Sequence, residues 1–197
     1  FGDYDLAITV PAGYIVAAAI AEHATGVAYE DLMRREVFTP LRMRSVRLSH
    51  YGGRNEPNGH VDGRVADQPH DANPPMFTPP GGVRVSLLDW SRFCIEHMRG
   101  ERGEGVLLSA ETYRFLHTPQ GETNAALGWG VQERAAGHNG RALVHSGSDG
   151  NWFALVVLFP DELGGVLSVA NAAESMGGDA AALAALRALV GTLTSAP

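Results

Sequence analysis

The sequence predicts an α+β fold: a helical lobe, then an antiparallel sheet that a C-terminal helix flanks. Three observations carry that expectation. Apolar residues recur at helical spacing early in the chain, at Ile15, Val16, Ala19, Ile20 and Ala24. They run almost unbroken over Trp152 to Phe159 and Val166 to Ala170, as buried strands do. A helical stripe returns at the end through Leu183, Leu186, Leu189, Val190 and Leu193.

The elements follow in order. Gly13 to Thr25 is a helix that Gly26 closes. Glu30 to Phe38 is a second helix, with Leu32, Met33 and Val37 inward and Pro40 as the stop. Residues 49–82 lose apolar periodicity and read as a long loop with room for short strands. Ser86 caps the next helix, and Asp89 sits where the helix dipole favours a carboxylate. Leu87, Trp90, Phe93, Cys94, His97 and Met98 share one face of that helix. Ser109 caps another helix, with Tyr113 and Leu116 inward. Trp129 to Ala135 is extended, His138-Asn139-Gly140 is the hairpin signal, and Arg141 to Ser146 returns. The expected organisation is a mostly helical lobe over 1–120, with its loop at 49–82, and a sheet with a C-terminal helix over 121–197. Both belong to one domain.

The totals narrow the function. The 197 residues carry a formal net charge of −7, which disfavours nucleic acid and anionic membranes as partners. No apolar run is long enough to span a bilayer. The single cysteine, Cys94, excludes an internal disulfide and reads as a small buried hydrophobe. All 15 basic residues are arginine, so no deprotonated lysine amine is available within this sequence. Nothing here fixes a compartment. The sequence starts at Phe1 without a Met and reads as a fragment.

Several motifs then occur in a telling order. They are Ala12-Gly13-Tyr14 with Ala24-Thr25-Gly26, then Val37-Phe38-Thr39-Pro40-Leu41-Arg42-Met43, then Pro80-Gly81-Gly82-Val83 with Ser86 and Asp89. Gly128-Trp129-Gly130-Val131 follows, then Val144-His145-Ser146-Gly147-Ser148 with Gly150-Asn151-Trp152, and finally Val169-Ala170-Asn171-Ala172. Together, over about residues 9 to 193, this set resembles the C-terminal region of the serine β-lactamase-like family, which includes class C β-lactamases, penicillin-binding carboxypeptidases and esterases. The resemblance implies a β-lactamase/transpeptidase-like fold whose N-terminal strands lie outside this sequence.

That family's chemistry is acyl transfer at a serine, without a cofactor or metal. A Ser-x-x-Lys pair supplies nucleophile and proton acceptor, and a Tyr-x-Asn segment supplies a second proton-handling group. A [KH]-[ST]-G strand lines the site. The resemblance places His145 as an electrostatic or hydrogen-bonding group and Ser146 as a hydroxyl for a substrate carboxylate or carbonyl. It places Gly147 where substrate approaches the backbone, and Ser148 N–H as an oxyanion donor. Gly150 and Trp152 would border the substrate. Histidine in the lysine position is more typical of the esterase and peptidase-like members. The expected partners are a small acyl substrate and the N-terminal part of the same protein.

Two elements are not met. Ser-x-x-Lys cannot exist without lysine, so this chain alone is expected to be inactive. Thr9-Val10-Pro11 stands where Tyr-x-Asn should, and Tyr4 has the wrong spacing. Divergence, a shifted register over residues 1–11, or a stretch missing between 8 and 12 would each account for it. Two functions therefore compete: the C-terminal part of a serine hydrolase, and a non-catalytic module that binds a ligand or protein. Elsewhere the readings are structural. His60, Asp62, Asp67, His70 and Asp71 read as solvated turn residues, not a metal site. Tyr14, Trp90, Phe93 and Met98 read as core, and Asn171 as a turn-maker.

Overall fold

A computed structural model of the protein describes residues 11–48, 56–67 and 71–193. Thr9, Val10, Tyr4 and His70 lie outside the described residues. Helix α1 (Pro11–Thr25) ends as its glycine demands: Gly26 sits at φ +68°, and its N–H donates to the Glu22 carbonyl at 2.8 Å. Its apolar stripe is only partly used. Ala18 is buried, but Val16 and Ile20 are 56% and 62% exposed, and Tyr14, expected in the core, is 37% exposed. Among the described residues, α1 packs mainly on α3 (Thr78–Gly81), with less against α2 (Tyr29–Met33) and the 3-10 turn at Pro75–Phe77.

The helix expected over Glu30 to Phe38 is in fact two pieces. After α2 the chain widens into a π-helical turn, Arg34–Phe38, in which Thr39 N–H reaches back five residues to the Arg34 carbonyl at 2.9 Å. Phe38, Leu41 and Met43 then form a small core of their own, bordered by Phe93. The long loop holds the short strands its sequence left room for, and a second short pair closes its base. Strand β1 (Arg47–Leu48) pairs with β4 (Val83–Arg84), and β2 (His60–Val61) pairs with β3 (Arg64–Val65).

Helix α4 (Leu87–Gly100) starts as predicted, with Asp89 N–H donating to Ser86 Oγ at 3.2 Å. The Asp89 carboxylate, however, turns to Ser45, accepting from its N–H and its hydroxyl, both at 2.7 Å. These bonds hold the Asp89 carboxyl below its ordinary pKa. Leu87, expected on the buried face, is 53% exposed. Helix α5 (Ala110–Leu116) is capped by Ser109, whose Oγ accepts from Thr112 N–H at 3.2 Å.

The main sheet is an antiparallel meander in the order β5-β6-β7-β8, built from Gly130–Ala135, His138–Ser148, Phe153–Phe159 and Gly164–Ala170. The β5–β6 turn falls at Ala136-Gly137, not at Asn139-Gly140. Both turn residues have positive φ (+50° and +92°), and Ala135 pairs with His138. The Asn-Gly pair lies inside β6, near a register shift between Gln132 and Arg134.

Strand alternation sorts the core into two layers. Leu143, Val156 and Leu158 face α4 with Cys94 and Met98. Ala142, Leu155, Val157 and Phe159 face α6 (Gly178–Leu193) through Ala182, Leu186 and Val190. Leu189, expected in the α6 stripe, is 48% exposed. Burial pushes the Cys94 thiol up to about 12, so it behaves as the apolar filler the sequence predicts. No described helix is long and apolar enough to cross a membrane.

Candidate functional site

The predicted site residues lie at the end of β6 and in the turn to β7. Strand β5 stops pairing at Gly130 opposite Val144. Beyond that point His145, Ser146, Gly147 and Ser148 pair with β7, opposite Val156, Leu155, Ala154 and Phe153. On their other side no strand is paired among the described residues. The segment is therefore a ledge, with one edge of its backbone free to meet another chain or a ligand.

His145 is exposed, and its orientation is fixed. Its Nδ1–H donates to the Gly128 carbonyl at 2.7 Å. In the neutral imidazole this leaves the Nε2 lone pair as the free acceptor. Trp129 packs edge-on against the ring, with centroids 6.3 Å apart. Gly128 holds φ +85°, and a β-carbon there would lie 3.5 Å from the Tyr14 hydroxyl. The helix α1 phenol thus reaches the same corner, and partial burial raises its pKa and keeps it a neutral donor. Sequence reasoning assigned Tyr14 to the core. The signal that it did more was its place in the Ala12-Gly13-Tyr14 motif.

The four strand residues are adjacent but do not all point one way. His145 and Gly147 lie on the α4 face with Leu143, while Ser146 and Ser148 lie on the α6 face with Ala142 and Val144. What they share is a strand whose outer edge is unpaired among the described residues, and along which alternate residues turn N–H and C=O outward. A β-carbon on Gly147 would meet nothing within 4 Å, so the ledge is open there. Ser148 Oγ accepts from Gly150 N–H at 3.1 Å, and Gly150 turns the chain at φ +88°.

The turn is held rigidly. Asp149 Oδ1 accepts from the N–H groups of Asn151 and Trp152, both at 2.8 Å. Asn151, 2% exposed, donates from its side chain to the Asp71 carbonyl at 2.8 Å, and its own carbonyl accepts from His60 N–H at 3.1 Å. Trp152 sits beneath this loop. A β-carbon on Gly59 would come within 2.6 Å of its Nε1, and the Arg84 guanidinium lies 5.9 Å from its ring centroid. Its Nε1–H is buried without an acceptor among the described residues. The loop residues read as solvated turn-makers include partnered ones. Arg64 pairs with Asp71 at 2.6 Å, and His60 Nδ1–H donates to the Asn171 carbonyl at 2.8 Å. Among the described residues no group of three His, Cys, Asp or Glu is placed to hold a metal.

Behind Trp129 runs a buried polar chain that sequence reasoning did not foresee. Glu101 bonds His117 and Arg141, and His117 Nε2 meets His97 Nδ1 at 2.8 Å. His97 lies 5.2 Å from the Trp129 ring. Burial, then the charge of His117, drives the His97 pKa down to about 3, so it is neutral in the fold. For Glu101, burial alone would raise the pKa. The bonds from His117 and Arg141 outweigh it and bring the carboxyl to about 2.

Comparison with known proteins adds an independent line. The sequence model of the family described as Beta-lactamase matches residues 11–191. No match was found among curated proteins. Among solved structures, the chain is similar to the octameric penicillin-binding protein homologue from Pyrococcus abyssi. The TM-score is 0.71 at 23% identity, over 92% of this chain and 42% of that one. That likeness concerns the fold, and this chain spans less than half the length of that structure.

Proposed function

Since the chain belongs to the β-lactamase family, we propose that it furnishes the substrate-lining strand of a serine acyl hydrolase, whose Ser-x-x-Lys pair comes from residues outside this sequence. The observation that carries this reading is the open ledge at 145–148, with His145 held by Gly128.

In the proposed reaction, the serine oxygen attacks an ester, amide or peptide carbonyl while the lysine amine takes its proton. The tetrahedral oxyanion is held by the serine's own N–H and by Ser148 N–H. The leaving group departs with a proton, and water then hydrolyses the acyl-enzyme. The His145 Nε2 lone pair takes a hydrogen bond from the substrate or from the catalytic hydroxyl network. Ser146 reaches a substrate carboxylate or carbonyl, and Gly147 allows close approach. Trp152 and Gly150 shape the end of the cleft. The Tyr14 phenol, beside Gly128, is the hydroxyl of this chain best placed to assist where Tyr-x-Asn is missing.

The test uses the full-length protein. Turnover of p-nitrophenyl esters should fall about 10–100-fold in His145→Ala, the loss of one strong hydrogen bond at the site. A fluorophosphonate probe should label an upstream serine. A wild type that neither turns over esters nor takes the probe would remove the hydrolase reading. It would favour the second one, a non-catalytic binding module. That reading has its own support in Thr9-Val10-Pro11, which stands where Tyr-x-Asn should.

A further inference from the structure

A cleft lies away from the β6 ledge, on the helical side of the molecule. It has a volume of about 540 Å³, and four arginines line it: Arg34, Arg42, Arg44 and Arg47. Residues 34–47 hold five of the chain's 15 arginines and one acid, Glu36, in a protein of net charge −7. Phe38, Met43, Val46, Leu48 and Thr39 line it as well, so apolar side chains stand among the arginines. Arg34 is paired with Asp31 and Arg47 with Glu56. Among the described residues no carboxylate forms an ion pair with the Arg42 or Arg44 guanidinium, although the Arg44 backbone N–H bonds Asp89.

Two backbone features shape this wall. The π-helical turn at Arg34–Phe38 sets Arg34 and Thr39 on the same cleft, and such turns recur at functional sites. Arg42 holds φ +55°, a conformation that favours glycine and strains an arginine. Like charges facing one opening repel, and a bound anion relieves that repulsion.

We propose that this cleft binds a small organic anion, a carboxylate or phosphate head on a short apolar body. Guanidinium forks match both heads in geometry. The apolar side chains of the lining take the body, and the Arg42 and Arg44 guanidinium groups supply the unpaired charge.

The experiment is calorimetric titration of the intact protein with octyl phosphate, octanoate and octylamine at low and moderate salt. At least one anion should bind, more weakly as salt rises, and octylamine should not. Arg42→Gln/Arg44→Gln should weaken anion binding at least tenfold, while Arg134→Gln should leave it unchanged. The anion that binds more tightly identifies the head group. Chemical-shift changes in the wild type should centre on Met43 and Val46, which tests the site without relying on the variant's fold. Absence of binding by both anions at millimolar concentration would overturn the proposal. So would equal binding of octylamine, shifts centred elsewhere, or an unchanged double variant.

Discussion

At the scale of single residues, the histidines divide by environment. His145 is exposed and oriented by a backbone carbonyl, whereas His97 is buried and neutral with a pKa near 3. Its value in an unfolded chain is 6.5, so below that pH the unfolded state binds the extra proton. Stability should be level above pH 6.5 and fall as the pH drops toward 3, with a slope approaching about 1.4 kcal/mol per pH unit. Glu101, held down to about 2, adds to the loss only below its unfolded value near 4.5. Thermal melts from pH 7.5 to 4 check this, and His97→Gln should flatten the profile. An unchanged profile in that variant would place the acid sensitivity elsewhere. The residue types of the ledge were legible in the sequence, because motif order placed His145, Ser146, Gly147 and Ser148 together. Their alternation between two faces follows from strand geometry, but which face meets α4 and which meets α6 was not legible, since that depends on tertiary packing. The His97–His117–Glu101 chain was invisible for the same kind of reason. Its members are brought together by the packing of α4, α5 and the sheet.

At the scale of elements, the caps were the most legible features. Ser86 and Ser109 act within three residues of themselves, so their local sequence suffices. The β5–β6 hairpin misled because Ala136, an unusual residue at positive φ, makes the turn, while the better turn former, Asn139-Gly140, sits in the strand. The split of the second helix was equally hidden, since a π turn leaves the apolar pattern nearly unchanged. Close packing of α4 on α5 gives a sharp test. A β-carbon on Gly100 would come within 2.1 Å of the Tyr113 ring. That ring is 1% exposed, and its hydroxyl donates to Glu96 at 2.6 Å, so it cannot swing away freely. Gly100→Ala, which should favour an ordinary helix, is expected to destabilise this one by about 1–3 kcal/mol in denaturant unfolding.

At the scale of the whole molecule, the α+β class and the meander were readable because the change from helical to strand patterning is abrupt near residue 129. The partners of its outer edge were not. Among the described residues β8 is an edge strand, and Val169 on it is 39% exposed. Such an edge invites pairing with another chain. The 197-residue chain should associate with rising concentration, and Val169→Lys should shift sedimentation toward monomer. A chain that stays monomeric at high concentration without the lysine would contradict this. The sheet itself has a further meaning for anyone dissecting the protein. It is a wall shared by two rooms, with α4 furnishing one side and α6 the other. A cut near residue 120 would leave β5–β8 with one bare apolar side, and would strip the sheet from the face of α4 that carries Cys94 and Met98. The helical and sheet halves are separable in a linear map of the sequence, but the shared wall predicts that neither folds when expressed alone.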